Sequence, residues 1–248
     1  MSDEFAGQSA IVTGGSSGIG LAIAGMLAAR GASVVLVARD AQRLERAAKE
    51  LGGQVATVAG DAALKHTADR AVAAALAQFG KLDVLLNIAG WYPTVLVEHT
   101  SDEDYAATIS ANLTATFAMC RAALPALRES GGAIVNMSST AARFPTPGLA
   151  AYSASKAGIE AFTRALAAEA APAVRVNAVS AGPTLTDAVR ELMQTDTTGA
   201  VRAVTANLPL GRMAEPDEIA EAVLFLASRR ASIVTGQVLH ANSGGHMA

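Results

Sequence analysis

Short apolar runs rich in β-branched residues alternate with helical patterns along the whole chain, and this alternation constrains the fold more than any other feature. The runs AIVT, SVVLVA, QVATVA, LDVLLN, AIVNMS, VRVNAV and QVLHA each read as a strand. They are almost wholly apolar, as expected of strands covered on both faces. Between them lie helical segments such as Leu21–Arg30, closed by Gly31, and Asp40–Leu51, closed by Gly52. Asp40 suits a helix N-cap, the two glycines suit positions just past a helix end, and Pro216 suits the first turn of a late helix. The repetition predicts an α/β fold, doubly wound, with a seven-stranded parallel sheet and helices on both faces. A ligand should then lie beyond the C-terminal ends of the strands. No linker or low-complexity segment interrupts the 248 residues, so a single domain over 1–248 is expected.

Composition narrows the function classes. Hydrophobic residues make up 51% of the chain, enough for a sizeable core. A net charge of −3 offers no basic stripe for nucleic acid. No apolar run reaches the roughly 18 residues of a membrane span, and the acidic start MSDEFAGQ lacks a signal-peptide pattern. Cys120 is the single cysteine, which leaves no disulfide framework. His66, His99, His240 and His246 lack metal-ligand spacing, so no metal is expected. A soluble protein of a reducing cytoplasm fits these features.

The stretch TGGSSGIG, Thr13 to Gly20, joins the first strand to the first helix. A tight turn there needs one glycine, yet Gly14, Gly18 and Gly20 are all present beside Gly15. Such a loop reads as a nest of backbone N–H groups at a helix N-terminus, suited to a phosphate. In AAYSASKAG, Tyr152 and Lys156 lie four apart on one helix face. An ammonium near a phenol favours the phenolate, lowering its pKa towards values useful for acid–base catalysis. A plain surface helix explains that spacing as well. Ser139 ends the fifth strand at the ligand edge of the sheet, where a hydroxyl caps a turn or binds a substrate oxygen. The long connection Thr184–Leu210 reads either as a lid over the site or as a disordered surface loop.

Taken in order, these motifs resemble the short-chain dehydrogenase/reductase family, 3-oxoacyl-[acyl-carrier-protein] reductase-like members among them. The likeness covers nearly the whole chain and implies a Rossmann domain. Thr13–Gly20 matches the family's T-G-x-x-x-G-x-G, Asn87–Gly90 its N-N-A-G, and Ala181–Thr186 its P-G-x-I-x-T. The resemblance implies catalytic roles for Asn112, Ser139, Tyr152 and Lys156. Tyr152 would be the general acid in reduction and the base in oxidation. Lys156 would hold the nicotinamide ribose, Ser139 the substrate oxygen, and Asn112 a water that leads protons away. It further implies dinucleotide contacts from Gly14, Ser16, Ser17, Gly18, Ile19 and Gly20, and at the adenine side from Ala38, Arg39, Asp61 and Ala62. Asn87, Ala89 and Gly90, Tyr152 and Lys156, and Gly182, Thr184 and Thr186 would complete the cofactor site. Ile88, Ala181 and Asn242 depart from the family pattern. Ala181, standing for a proline, frees φ at the nicotinamide turn.

NAD-preferring members of that family place an Asp where Ala38 stands here. Arg39 follows, suited to a two-pronged contact with a 2′-phosphate, whereas Ser17 is neutral where many NADP-binding members carry a base. NADP(H) is therefore expected over NAD(H). A NAD-dependent secondary-alcohol dehydrogenase, a non-catalytic dinucleotide-binding protein and a methyltransferase are the competing readings. The expected substrate is a small carbonyl or alcohol compound with an apolar body, free or as a 3-oxoacyl compound, since Trp91, Tyr92, Pro93, Ala141, Phe144 and Pro145 flank the site. Arg143 reads as a solvated loop arginine or a partner for a substrate carboxylate. The apolar segments SANLTATFAMCRAAL and KAGIEAFTRALAAEAA, with the resemblance, lead us to expect a homotetramer.

Overall fold

The computed structural model describes residues 4–197 and 199–247. Met1–Asp3 of the acidic N-terminus and Thr198 of the long connection lie outside them. Seven parallel strands form one sheet in the order β3-β2-β1-β4-β5-β6-β7. They are β1 (Ser9–Thr13), β2 (Ser33–Ala38), β3 (Val55–Ala59), β4 (Val84–Asn87), β5 (Ala133–Ser139), β6 (Arg175–Ala181) and β7 (Val238–Ala241). The order reverses between β1 and β4, which opens a crevice above their C-terminal ends.

Helices cover both faces. On one lie α1 (Gly18–Ala29), α2 (Ala41–Leu51) and α9 (Pro216–Ala227); their Ile23, Leu27, Leu44 and Val223 pack on Val12, Leu36 and other strand residues. On the other lie α3 (Lys65–Phe79), α5 (Ala115–Ser130) and α6 (Ala150–Ala170). These three are rich in buried alanine, Ala71, Ala123 and Ala167 among them, which lets their backbones approach the sheet closely. The remaining helices, α4 (Asp102–Ile109), α7 (Asp187–Thr195) and α8 (Ala200–Ala206), belong to the connections above the sheet's C-terminal edge.

Asp40 caps α2 by accepting the Arg43 N–H at 3.0 Å, and Pro216 opens α9. Helix α1 differs from the sequence reading, starting at Gly18 rather than Leu21. Its first turn is built from the glycine loop itself. Gly14 has φ +71, and a Cβ on Gly20 would stand 2.2 Å from the Gly14 carbonyl oxygen, so a side chain at Gly20 would push the loop off the helix. The connection after β6 is largely helical, forming α7 and α8, with Thr186 capping α7.

Candidate active site

Two neighbouring regions form the site at the C-terminal edge of the sheet. The first is a groove of about 230 Å³ over the reversal in strand order. Gly14, Ser16 and Ser17 of the glycine loop, Ala38 and Arg39 after β2, Asp61 and Ala62 after β3, and Ala89 and Gly90 after β4 line it. Ser17 makes no side-chain cap bond to α1, so the first-turn N–H groups of Gly18, Ile19 and Gly20 keep no acceptor within the helix. That donor set suits a pyrophosphate. A glycine loop, free first-turn donors and basic side chains at the far end fit a dinucleotide phosphate.

Strand ends hold the groove's walls in place. Thr13 Oγ1 accepts from the backbone N–H groups of Ile88 and Ala89 at 3.0 and 3.1 Å, tying β1 to the loop after β4. Asn87 is buried, and its amide donates to Asn136 Oδ1 at 2.9 Å and Cys120 Sγ at 3.2 Å. Its side chain thus serves the packing between β4, β5 and α5. Asp61 accepts the Ala63 N–H at 2.9 Å, shaping the turn into α3.

The second region gathers Ser139, Tyr152, Lys156 and Asn112 beside the groove. Tyr152 contacts the Ser139 hydroxyl, and its ring lies 4.8 Å from that of Tyr92. Lys156 is 2% exposed, donates to the Met137 carbonyl at 2.8 Å, and sits 5.5 Å from the Tyr152 ring centre. Asn112 lies in a widened π-turn, Ser110–Thr114, between α4 and α5. Its amide donates to the carbonyls of Trp91 (2.7 Å) and Thr108 (2.8 Å), while its buried Oδ1 has no protein partner. A Cβ on Gly90 would stand 2.7 Å from that Oδ1 and 3.5 Å from Lys156 Nζ, so the orphaned acceptor lies close to the amine. A bridging water would satisfy both.

The pKa shifts reverse part of the sequence expectation. Tyr152 is pushed up to about 12 by burial, against a lowering by Ser139 and with a lesser raise from Tyr92. Burial brings Lys156 down to about 7. The i, i+4 spacing suggests an ammonium that lowers the phenol, but desolvation dominates both groups in the free protein. Arg143 keeps 40% of its side chain exposed, as expected of a loop arginine, and its guanidinium also pairs with the buried Glu160 carboxylate at 2.9 Å, a partner that the sequence reading did not include.

The family's nicotinamide turn sits beyond β6. Ala181 is held in the ladder against Ser139 and Ala241, so the sheet constrains the backbone where the family pattern has proline. Gly182 donates to the Ala241 carbonyl at 3.0 Å, and the Thr184 hydroxyl to the Gly182 carbonyl at 2.9 Å. A Cβ on Gly18 would meet the Thr186 methyl at 3.2 Å, which places the root of α7 against the glycine loop. Trp91, Tyr92, Leu96 and Phe144 leave an exposed apolar rim, and Val95 donates to the Gly148 carbonyl at 2.9 Å, closing the 91–97 loop on the segment before α6. Arg43, in the first turn of α2, also lines the groove, which the sequence reading missed. Its place four residues past Arg39, in the turn that Asp40 caps, is the signal that the sequence carries.

The family model described as enoyl-(acyl carrier protein) reductase matches residues 14–246. D-threitol dehydrogenase of Mycolicibacterium smegmatis is 38% identical over 96% of this chain and 92% of its own length. The 3-oxoacyl-[acyl-carrier-protein] reductase of Escherichia coli K12 is 35% identical over 98% of this chain and 99% of its own. A solved Brucella melitensis structure, a short-chain dehydrogenase/reductase described as glucose/ribitol dehydrogenase, superposes with a TM-score of 0.93. It is 39% identical and covers 100% of both chains. The chain belongs to the short-chain dehydrogenase/reductase family. It is an NAD(P)-dependent oxidoreductase acting on CH–OH groups and their carbonyl counterparts. Among the described residues, no helix is long and apolar enough to cross a membrane.

Proposed function

We propose that this chain acts as one dinucleotide-binding domain, over residues 1–248, that uses NADP(H) to interconvert an apolar ketone or 3-oxoacyl compound and its secondary alcohol. The observation that carries this reading is the convergence of the Tyr152 phenol, the Ser139 hydroxyl and the Lys156 amine beside a groove whose far end holds Arg39 and Arg43. The bound nicotinamide would supply or accept the hydride. Tyr152, neutral at physiological pH, would donate its proton to the carbonyl oxygen, and Ser139 would hold that oxygen by a hydrogen bond. Lys156 would reach the ribose hydroxyls, and Asn112, with its spare acceptor, would hold the water that re-supplies the proton. Gly182, Thr184 and Thr186 would frame the nicotinamide end.

At the adenine end, Ala38 places no carboxylate beneath the ribose, and Arg39 and Arg43 face a groove whose two carboxylates are already engaged, Asp40 in capping α2 and Asp61 in accepting the Ala63 N–H. This supports NADP(H) over NAD(H). The apolar rim of Trp91, Tyr92, Leu96 and Phe144 favours an apolar substrate body over a polyol, although a relative named D-threitol dehydrogenase keeps a polyol in the test. We place the protein in the cytoplasm as a homotetramer, joined through α5, α6 and β7. Exposed Phe117, edge-on to Phe162 at 6.0 Å and capped by Arg121, supports such a helix contact.

A panel of apolar ketones, 3-oxoacyl thioesters and polyols, assayed with both dinucleotides, tests the reading. Tyr152→Phe should lower kcat by about 10²-fold or more while NADPH affinity stays within about twofold. Turnover above about a tenth of wild type in that variant would refute the proton-transfer role.

A further inference from the structure

Behind the Ser139–Tyr152–Lys156 cluster lies a carboxylate that the reaction does not use directly. Glu160 follows Lys156 by four residues and Tyr152 by eight, so the three side chains share one face of α6. It is 3% exposed and fully engaged. Its Oε1 accepts the Ser138 hydroxyl at 3.0 Å, and its Oε2 accepts Arg143 Nε at 2.9 Å and Nη2 at 2.9 Å.

Ser138 and Arg143 bracket the short segment that carries Ser139. That segment is the last residue of β5 followed by the tight turn Thr140–Ala142. It is closed internally as well, with Ala141 N–H donating to Ser139 Oγ at 3.2 Å and Arg143 N–H to the Thr140 carbonyl at 3.0 Å. One carboxylate therefore grips both ends of the Ser139 segment and fastens it to the helix that bears Tyr152 and Lys156. A buried ion pair is an inefficient source of stability, because well-packed apolar side chains of similar volume do as well or better. Its geometry here does something that apolar packing cannot: charged and hydroxyl donors meet one acceptor group in fixed directions.

We infer that Glu160 is a positioning residue, whose carboxylate, through Ser138 and Arg143, sets the placement of the Ser139 hydroxyl relative to the Tyr152 phenol. The inference rests on the roles given above to Ser139 and Tyr152. Misplacement of reacting groups by about 1 Å costs up to about 10²-fold in rate. Loosening either end of the segment should therefore slow the chemical step without touching the dinucleotide groove.

The test uses Glu160→Gln, which removes the charge, and Arg143→Ala, which cuts one end of the grip at a part-exposed side chain and leaves the buried Glu160 carboxylate without its cation. Both variants should lose about tenfold or more in kcat. NADPH affinity, read from the fluorescence of Trp91 in the groove, should stay within about twofold of wild type. The primary isotope effect on kcat with dinucleotide deuterated at the reacting carbon should rise, because the chemical step becomes more limiting. Arg143→Lys should recover part of the loss. A merely structural role would lower the unfolding temperature but leave kcat and the isotope effect of the folded enzyme unchanged, and that result would overturn the inference. Hydrogen–deuterium exchange over residues 139–149 tests the grip without any turnover. Faster exchange in Arg143→Ala supports the inference, and unchanged exchange overturns it. Full turnover in Tyr152→Phe would strike the role given to Tyr152 instead, and would leave that exchange result standing.

Discussion

Replacing Lys156 by methionine should leave a protein that is more stable and inactive. The Lys156 side chain is 2% exposed, and its amine bonds to the Met137 carbonyl at 2.8 Å. Burial brings it from 10.5 to about 7. Below about pH 7 the folded chain must carry the buried charge, which costs about 5 kcal/mol at 1.36 kcal/mol per pKa unit. Between about 7 and 10.5 the unfolded chain binds a proton that the folded chain has released, so this group makes stability rise with pH across that window. Methionine carries no charge, fills similar space and forfeits the bond to Met137, an offset of about 1–3 kcal/mol. The expected net gain at pH 7 is about 2–4 kcal/mol, and it should narrow by about 2 kcal/mol by pH 9. Tyr152 and Cys120, both pushed up to about 12 by burial, are present in both proteins and drop out of the comparison. Urea unfolding at fixed protein concentration and at both pH values measures the difference. A variant no more stable than wild type at pH 7, or an advantage that is the same at pH 9, would refute the desolvation argument.

Two further outcomes concern the ends of the molecule's contacts. Arg39→Ala and Arg43→Ala should each weaken NADPH binding about ten- to a hundredfold and leave NADH within about twofold, and Ala38→Asp with Arg39→Leu should turn the preference towards NADH. Wild-type protein that binds both dinucleotides equally at matched salt would overturn the phosphate assignment. Light scattering should give a tetramer at micromolar concentration, and Phe117→Asp should lower that mass; a monomeric wild type would end the assembly proposal.

The five inner strands were legible because both of their faces are almost wholly buried, which favours an uninterrupted β-branched run. The edge strands β3, with Thr57 exposed, and β7, with no buried residue, are legible from their short apolar runs alone. The seven runs fall within two residues of β1 to β7 at either end. Helix α1 was placed late, because glycines of poor helix propensity form its first turn under the demand of the loop. Thr184–Leu210 reads as irregular in sequence, yet α7 and α8 form there, with α7 laid on the surface and no residue of it buried. Arg143 could not be placed from its neighbours, since its partner lies seventeen positions away on another element. The sign of the Tyr152 shift failed for a related reason. Spacing along a helix reports which charges are near, but burial decides how strongly each charged form is penalised, and burial belongs to the tertiary structure.

One interface accounts for most of the site's geometry. Helix α6 runs back along β5, and its polar face meets that strand step by step. Thr163 accepts the Asn136 amide at 2.9 Å, Glu160 the Ser138 hydroxyl at 3.0 Å, Lys156 donates to the Met137 carbonyl at 2.8 Å, and Tyr152 reaches Ser139 at the strand's end. Asn136 continues the chain inward to Asn87, and so to β4 beneath the groove. An apolar helix face could slide along the strand at little cost, since dispersion and burial are nearly indifferent to register. Directional hydrogen bonds among buried groups are not, because a slip of one position would strand several donors and acceptors out of water at about 1–3 kcal/mol each. The polar face of α6 therefore costs stability in the ammonium and carboxylate it buries. In return it fixes the register that brings the phenol of Tyr152 to the hydroxyl of Ser139, the alignment on which the proposed proton transfer depends.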